Sequence, residues 1–539
     1  MTEMKQISIQ QRLVEVKDKA LSDAQVAELA VDLAAEILKI STRGQKLSER
    51  YQGWKMARMM DDSMGKTLTL AMADQVFRSP SDSRSASQFR YLIDQYGIPT
   101  YLPLHEQIAM RVGGIASAVA PDMIMPAITW KMRGESSNVI LPSEDEKLTP
   151  HMQKRKRQGI RMNINQLGEA ILGEEEAAHR MAQVIGRLES PDCEYISVKI
   201  SAVFSQINLL AYDQTLDEIK LRLRELYRTA QQHTFTREDR SQSPKFVNLD
   251  MEEYRDLHLT CDAFKQVLME EEFIQMKAGI VLQAYLPDSF EVQKDLTEWA
   301  RQRVAQGGSP IKIRIVKGAN LAMEQVEASL HDWPQAPYST KADVDANYKR
   351  MVHYGCELEN AKVVHLGVAS HNLFELAYAM LLRAGHEVEE YVEFEMLEGM
   401  ANHQARAVRD AVDGLLLYAP VVEKEDFHSA IAYLVRRLDE NTSEENFLHD
   451  IFGMKPGDAS WIKQRDMFLT SCRRRNEISA STNRVQDRAN EVHTLDLKKP
   501  FHNAADTDWS LRHNMRWILE KIENYKDRQI DTVPVQIAG

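Results

Sequence analysis

At 539 residues, 43% hydrophobic and 27% charged, the chain has soluble globular composition and is too long for one ordinary core. A net charge of −13 argues against a nucleic-acid or general polyanion binder, because neutralising phosphates takes clustered Lys and Arg; the one basic run, Lys154–Arg157, reads as linker surface. The four cysteines, Cys193, Cys261, Cys356 and Cys472, lack metal spacing and point to free thiols. With no signal peptide and no run long enough to span a bilayer, a cytoplasmic location is expected.

Residues 1–130 read as a helical arm and domain. Apolar and charged residues alternate at helical spacing over Leu13–Ile40, with Ser22-Asp23 as a cap, and again over Trp54–Met64, Thr67–Phe77 and Ser85–Tyr96. Pro99, Pro103 and Gly113-Gly114 then punctuate the pattern, and no catalytic constellation stands out. Residues 131–159, charged and carrying Pro142 and Pro150, read as a linker.

From 160 to 455 short β-rich runs alternate with amphipathic stretches, the pattern of βα units around a parallel sheet. Strands are predicted at 160–166, 195–201, 245–250, 278–285, 311–316, 362–369, 391–397 and 413–418, which fits a closed (βα)8 TIM-like barrel. An open doubly wound sheet is the alternative, but its GxGxxG signature is absent. Period-2 alternation sets Ile196, Val198, Leu249, Ile280, Leu282, Ile313, Ile315, Leu366 and Val368 on one face. If these face the helices, the mouth is lined by Lys199, Asp250, Gln283, Arg314 and His371, a polar set that a purely structural barrel would not need.

The loop Lys317-Gly318-Ala319-Asn320 lets backbone N–H groups approach a phosphate, as ordinary turn chemistry also would. Ser339-Thr340-Lys341 either adds phosphate contacts or caps the next helix. Near the end of this region Phe427, Ala430, Ile431, Leu434, Val435 and Leu438 form an apolar helical stripe. Tyr433, Arg436, Arg437 and Glu440 share the opposite face. Two adjacent guanidinium forks suit a small carboxylate, although the same face read alone is that of a solvated surface helix.

Three runs, Arg314-Ile-Val-Lys-Gly-Ala319, Tyr418-Ala-Pro420 and Tyr433-Leu-Val-Arg-Arg-Leu438, closely resemble proline dehydrogenase. The likeness is to the proline dehydrogenase part of the bacterial bifunctional proline-catabolic flavoenzymes called proline utilization A. The resemblance implies a distorted (βα)8 barrel whose last helix lies over the mouth, preceded by an all-helical arm. It implies non-covalent FAD, oxidation of L-proline to Δ1-pyrroline-5-carboxylate by hydride transfer to flavin N5, and electrons passed to a quinone. Association with the inner membrane would be peripheral, and the full-length protein a homo-oligomer.

Carried over by position, Arg436 and Arg437 match the pair that clamps the proline carboxylate, assisted by Lys199. Asp250 and Tyr418 match pocket residues, and Ile315 the apolar residue against the proline ring. Gln283, Arg314, Val316, Lys317, Gly318, Ala319, Thr340, Lys341, Ser370, His371, Asn372 and Glu440 match flavin-binding positions; Glu169 is a candidate partner for one of the arginines, and no metal is implied. Asn320-Leu321 departs from the Tyr-Trp of many members, so an aromatic wall is missing or supplied elsewhere. Three extra residues also lie between Tyr418 and the Arg pair.

Residues 456–539 read as a C-terminal extension in which Phe501-His-Asn and Asp506–Ser510 resemble the opening of an aldehyde-dehydrogenase-like half; the chain is expected to be a fragment lacking that NAD-dependent second activity. Nothing in residues 1–50 resembles a basic DNA-binding ribbon. The competing readings are another barrel oxidoreductase with folate-like substrates and a scaffold built on a degenerate barrel.

Overall fold

The computed structural model describes residues 2–526, apart from 18, 20, 78, 80, 138, 169–172, 425, 443–444, 452, 493–497 and 499. Its centre is a closed barrel of eight parallel strands. These are β1 (Ile160–Gln166), β2 (Tyr195–Lys199), β3 (Phe246–Asp250), β4 (Gly279–Gln283), β5 (Ile311–Val316), β6 (Val364–Ala369), β7 (Val392–Leu397) and β8 (Leu415–Val422). Each pairs with its sequence neighbour, and β8 closes on β1 from Leu415↔Ile160 to Val421↔Gln166. All eight coincide with strands predicted from alternation. The outward set, including Ile196, Val198, Leu249, Leu282, Ile313, Leu366 and Val368, is at most 3% exposed, under the surrounding helices.

The barrel interior is a polar plug instead of the usual aliphatic layers. Asn163 donates to Ser197 Oγ at 2.9 Å, Tyr195 to Asn248 at 3.4 Å, and Lys312 pairs with Glu395 at 2.5 Å. Gly367 makes room for this, since a Cβ there would run into the Glu395 carboxylate.

The helical first region differs in detail from its prediction. Ser22 caps the helix Asp23–Arg43 in a capping box with Gln25. Gly113-Gly114 does not break a helix but lies inside Leu104–Val119. There Gly114 is buried, and a Cβ would meet Ile93 at 3.5 Å, so the small residue permits close packing on the helix Asp82–Tyr96. Pro121–Ser136 follows as an antiparallel partner.

The stretch read as a linker is part of the barrel wall. Leu141-Pro142 pairs with Val421-Val422, and the helix Asp145–Arg157 buries Leu148 and Met152 in the main core. Arg155, from the supposed surface run, is 8% exposed and bonded to Glu398 at 3.0 Å. The C-terminal extension is also tied down: its helix Ala459–Arg474 packs Trp461 and Phe468 on Phe374. Among the described residues, no helix is long and apolar enough to cross a membrane.

Candidate active site

The carboxyl ends of the strands converge on one polar mouth. Asp250, ending β3, accepts from Arg314 of β5 at 2.5 Å, Tyr418 of β8 at 2.8 Å and Asn165 of β1 at 3.3 Å. Burial alone would lower the pKa of Arg314, but Asp250 and Glu395 outweigh it and hold the guanidinium charged. Burial and the Asp250 charge push Tyr418 far above its ordinary value, so its phenol is a neutral donor. The Arg314 guanidinium lies 4.8 Å from the Tyr418 ring centre.

Over this mouth runs the helix Ile431–Thr442. Its apolar stripe packs on the N-terminal helices and on the rim of the barrel wall. Ile431 and Val435 join a cluster with Leu68, Val76, Phe77, Phe89, Leu92 and Met125 of the N-terminal helices. Leu434, Ala430 and Phe427 pack with Ile140, Leu167 and Val422. The arginine face is thereby directed at the mouth: Arg436 lies 3.7 Å from Glu252, whose carboxylate is paired at 2.7 Å with Lys199. Burial raises the pKa of Glu252, but Lys199 and Arg436 more than offset it, so it stays ionised. Arg437 stacks 5.1 Å over Tyr433 and lies near His371.

Glu252 was not among the predicted site residues. Two positions after Asp250 in an extended segment, it shares that residue's face, which is the signal that would have found it.

The remaining predicted positions form a second region beside the mouth. Lys317 bonds Asp345 at 2.5 Å and Glu375 at 3.2 Å, Lys341 reaches Asp345 at 2.5 Å, and the fully buried Lys349 reaches Glu375 at 2.7 Å. Three ammonium groups thus share two carboxylates, an excess of positive charge suited to an anion. Gly318 has φ +129°, and a Cβ there would lie 2.5 Å from the Tyr285 ring, so the backbone is pressed onto an aromatic face. Val316 pairs with Gln283, and Ala319 is exposed at the rim.

Several buried polar atoms here have no hydrogen-bond partner, among them Gln283 Oε1 and His371 Nδ1. The other His371 nitrogen, Nε2, accepts from the Leu397 N–H at 2.9 Å, which leaves the proton on Nδ1. Burial, with Arg437 adding to it, pushes the His371 pKa down to about 4, so the ring is neutral.

Several carried-over residues serve the backbone. Thr340 caps the helix Lys341–Cys356 by accepting from Asp343 N at 3.2 Å. Asn372 accepts from Phe374 N, and Ser370 accepts from Asn372 N, each at 3.0 Å. Ile315 is fully buried in register with Leu282 and Val368, on the face opposite Arg314, so the strand aims it at the helices and not at the mouth. Glu169 and the Glu440 side chain lie outside the described residues.

Residues 148–450 match the family model for proline dehydrogenase. The chain belongs to the proline dehydrogenase family. The bifunctional protein PutA of Escherichia coli (strain K12) is 28% identical over 319 residues, 55% of this chain and 22% of that protein. Proline dehydrogenase 2 of Bacillus subtilis (strain 168) is 24% identical over 322 residues, 60% of this chain and 91% of that protein. Among solved structures, proline utilization A of Corynebacterium freiburgense shares 42% identity at a TM-score of 0.61, covering 72% of this chain and 36% of that one. The same protein from Bdellovibrio bacteriovorus, inactivated by N-propargylglycine, shares 28% at a TM-score of 0.72, covering 93% and 48%. The chain therefore spans less than a quarter of the length of the bifunctional E. coli relative. The proline dehydrogenase barrel accounts for the mouth and its closing helix.

Proposed function

We propose that this chain oxidises L-proline to Δ1-pyrroline-5-carboxylate, with FAD as cofactor and a quinone as the final electron acceptor. The observation that carries this reading is the convergence of Lys199 and Arg436 on one carboxylate, Glu252, at the barrel mouth, with Arg437 next in line on the same helix. A substrate carboxylate would take the place Glu252 fills, in charge-assisted contacts that fix the ring over the mouth. Tyr418, held neutral, acts as a donor and not as a base, while Asp250 holds Arg314 and Tyr418 in position.

The residues present fit a flavin. Gln283 Oε1 and His371 Nδ1 are buried without partners, and Lys317 and Lys341 bring positive charge for a pyrophosphate. Gln283, Arg314, Val316–Ala319, Lys341 and His371 would hold the cofactor, with Thr340, Ser370 and Asn372 shaping the surrounding turns. The chemistry FAD supplies when bound is acceptance of a hydride from the carbon beside the ring nitrogen.

The test is an anaerobic titration of the purified protein. L-proline is expected to bleach the flavin absorbance, and a flavin-loaded protein that does not bleach overturns the reading. N-propargylglycine, which inactivates the Bdellovibrio relative, is expected to abolish the bleaching in a time-dependent manner.

A further inference from the structure

The carboxylate that occupies the cations at the mouth stands on a short irregular link. Asp250 ends β3, residues 251–253 have no regular structure, and Tyr254–Asp256 make a short 3-10 turn before the helix Leu257–Leu268. Glu252 therefore owes its place to the residues on either side. On the strand side Asp250 is fixed by Arg314, Tyr418 and Asn165, and Gln283 donates to the Glu252 carbonyl at 3.3 Å. On the other side Tyr254, 4% exposed, is tied in three places. Its N–H donates to Glu324 at 2.8 Å, its hydroxyl donates to Asp288 at 2.9 Å, and the same hydroxyl lies 3.1 Å from Thr482 Oγ1.

Thr482 belongs to the C-terminal extension, beyond residues 148–450 of the family match. The phenol has one proton, which Asp288 takes, so the Thr482 hydroxyl donates to the Tyr254 oxygen. Thr482 in turn accepts from the Arg484 N–H at 3.1 Å. The Arg484 guanidinium lies 5.6 Å from the Tyr254 ring centre and 4.6 Å from that of Trp333. It is 3% exposed and paired with the buried Asp508 at 2.9 Å. Asn483, between the two, donates to the Ala336 and Pro337 carbonyls at 3.2 and 3.0 Å. A desolvated ion pair is a poor source of stability, because lost hydration offsets the attraction, but it fixes geometry.

We infer that Thr482, held by Arg484, is a positioning residue for the reaction: through Tyr254 it keeps Glu252 on Lys199 and Arg436, and so sets how readily a substrate carboxylate displaces it. The extension thereby tunes substrate affinity from outside the barrel. Proline as the substrate rests on the proposed function; the anchor itself needs only a carboxylate that binds the same two cations. Loosening the anchor makes Glu252 easier to displace, and the reacting atoms, which Tyr254 does not touch, are unaffected.

The experiment compares Thr482→Val, which removes the hydroxyl and keeps the shape, and Tyr254→Phe, each alone and combined with Glu252→Gln, in the flavin-loaded full chain. In both single variants the proline KM is expected to fall roughly two- to fivefold with kcat unchanged. Cyclopentanecarboxylate, which has the ring and the carboxylate but no amine to oxidise, should bind tighter by the same factor in titration calorimetry. In the Glu252→Gln background neither substitution should move either constant, a split that a merely structural contact would not produce. An unchanged or higher KM in the single variants, or the same shift with Glu252→Gln present, overturns the inference. A shift in Tyr254→Phe alone gives the anchor to Asp288 and overturns the role of the extension. Tighter cyclopentanecarboxylate binding with no proline oxidation in any of the chains supports the anchor and sinks the proposed reaction.

Discussion

The two ends of the barrel are built from the same strands and the same residue types, yet they behave oppositely. At the amino end lies a cavity of about 510 Å³. Its interior charges are matched: Arg161 pairs with Glu194 and Glu393 at 2.9 and 2.6 Å, Lys312 with Glu393 and Glu395 at 2.6 and 2.5 Å, and Tyr195 stacks on Phe246. At the carboxyl end Lys199 and Arg436 share the single carboxylate of Glu252, and Gln283 and His371 keep buried atoms without partners. A cavity alone therefore does not mark the site. A charged cavity whose groups satisfy one another is structure, and one left with surplus donors is waiting for a ligand.

Substitutions at the two ends should separate stability from substrate binding. The largest effect is expected from Lys312→Met, which leaves the 1%-exposed Glu395 without its nearest cation. Breaking a buried pair costs about 3–5 kcal/mol, so denaturant unfolding should shift strongly while the proline KM of the surviving folded protein stays close to its original value. A KM that rose with the stability loss would break the distinction.

Next, Arg436→Met and Arg437→Met should each raise the proline KM roughly 10–100-fold, the loss of a charge-assisted contact, with flavin and thermal stability retained. Unchanged proline kinetics in both variants would rule out the carboxylate clamp.

Asp256 lies just beyond the mouth, where burial and Glu253 raise its carboxyl to about 7. Its folded-state pKa is above the unfolded value, so the associated stabilisation is complete below the unfolded carboxylate range and is lost as pH rises through about 7. Asp256→Asn should therefore gain on the order of 1–2 kcal/mol more at pH 8 than at pH 5, read by thermal unfolding at both.

The smallest effect belongs to Glu252→Gln. With the internal carboxylate neutralised, proline no longer competes for Lys199 and Arg436, and its KM should fall by roughly three- to tenfold, about 1 kcal/mol. A higher KM would show that Glu252 positions the two cations instead of occupying their site.

The barrel was legible in the sequence because alternation is a local property: Ile196 and Val198 report their face without knowing the rest of the chain. The mouth residues Lys199, Asp250 and Arg314 followed from the same rule. Ile315 shows its limit from the other side, since the alternation that placed Arg314 inward places its neighbour under the helices. The Lys317 cluster was less visible, because Asp345 and Glu375 are charges on helices, and spacing alone reads such charges as solvated. Gly113-Gly114 looked like a break because glycine is poor helix material, and only the approach to Ile93 explains its use. The orientation of the closing helix was beyond periodicity altogether. An apolar stripe says that something covers it, and here the cover is a set of helices from the far end of the chain.

That cover has a consequence for assembly. Phe89 and Ile431 come from opposite halves of the chain and share one apolar cluster, so bringing them together carries the entropy cost of closing a long loop. Docking of the N-terminal helices onto Ile431 and Val435 holds the closing helix in place, so a change on Leu68 or Phe89 reaches the mouth without touching it.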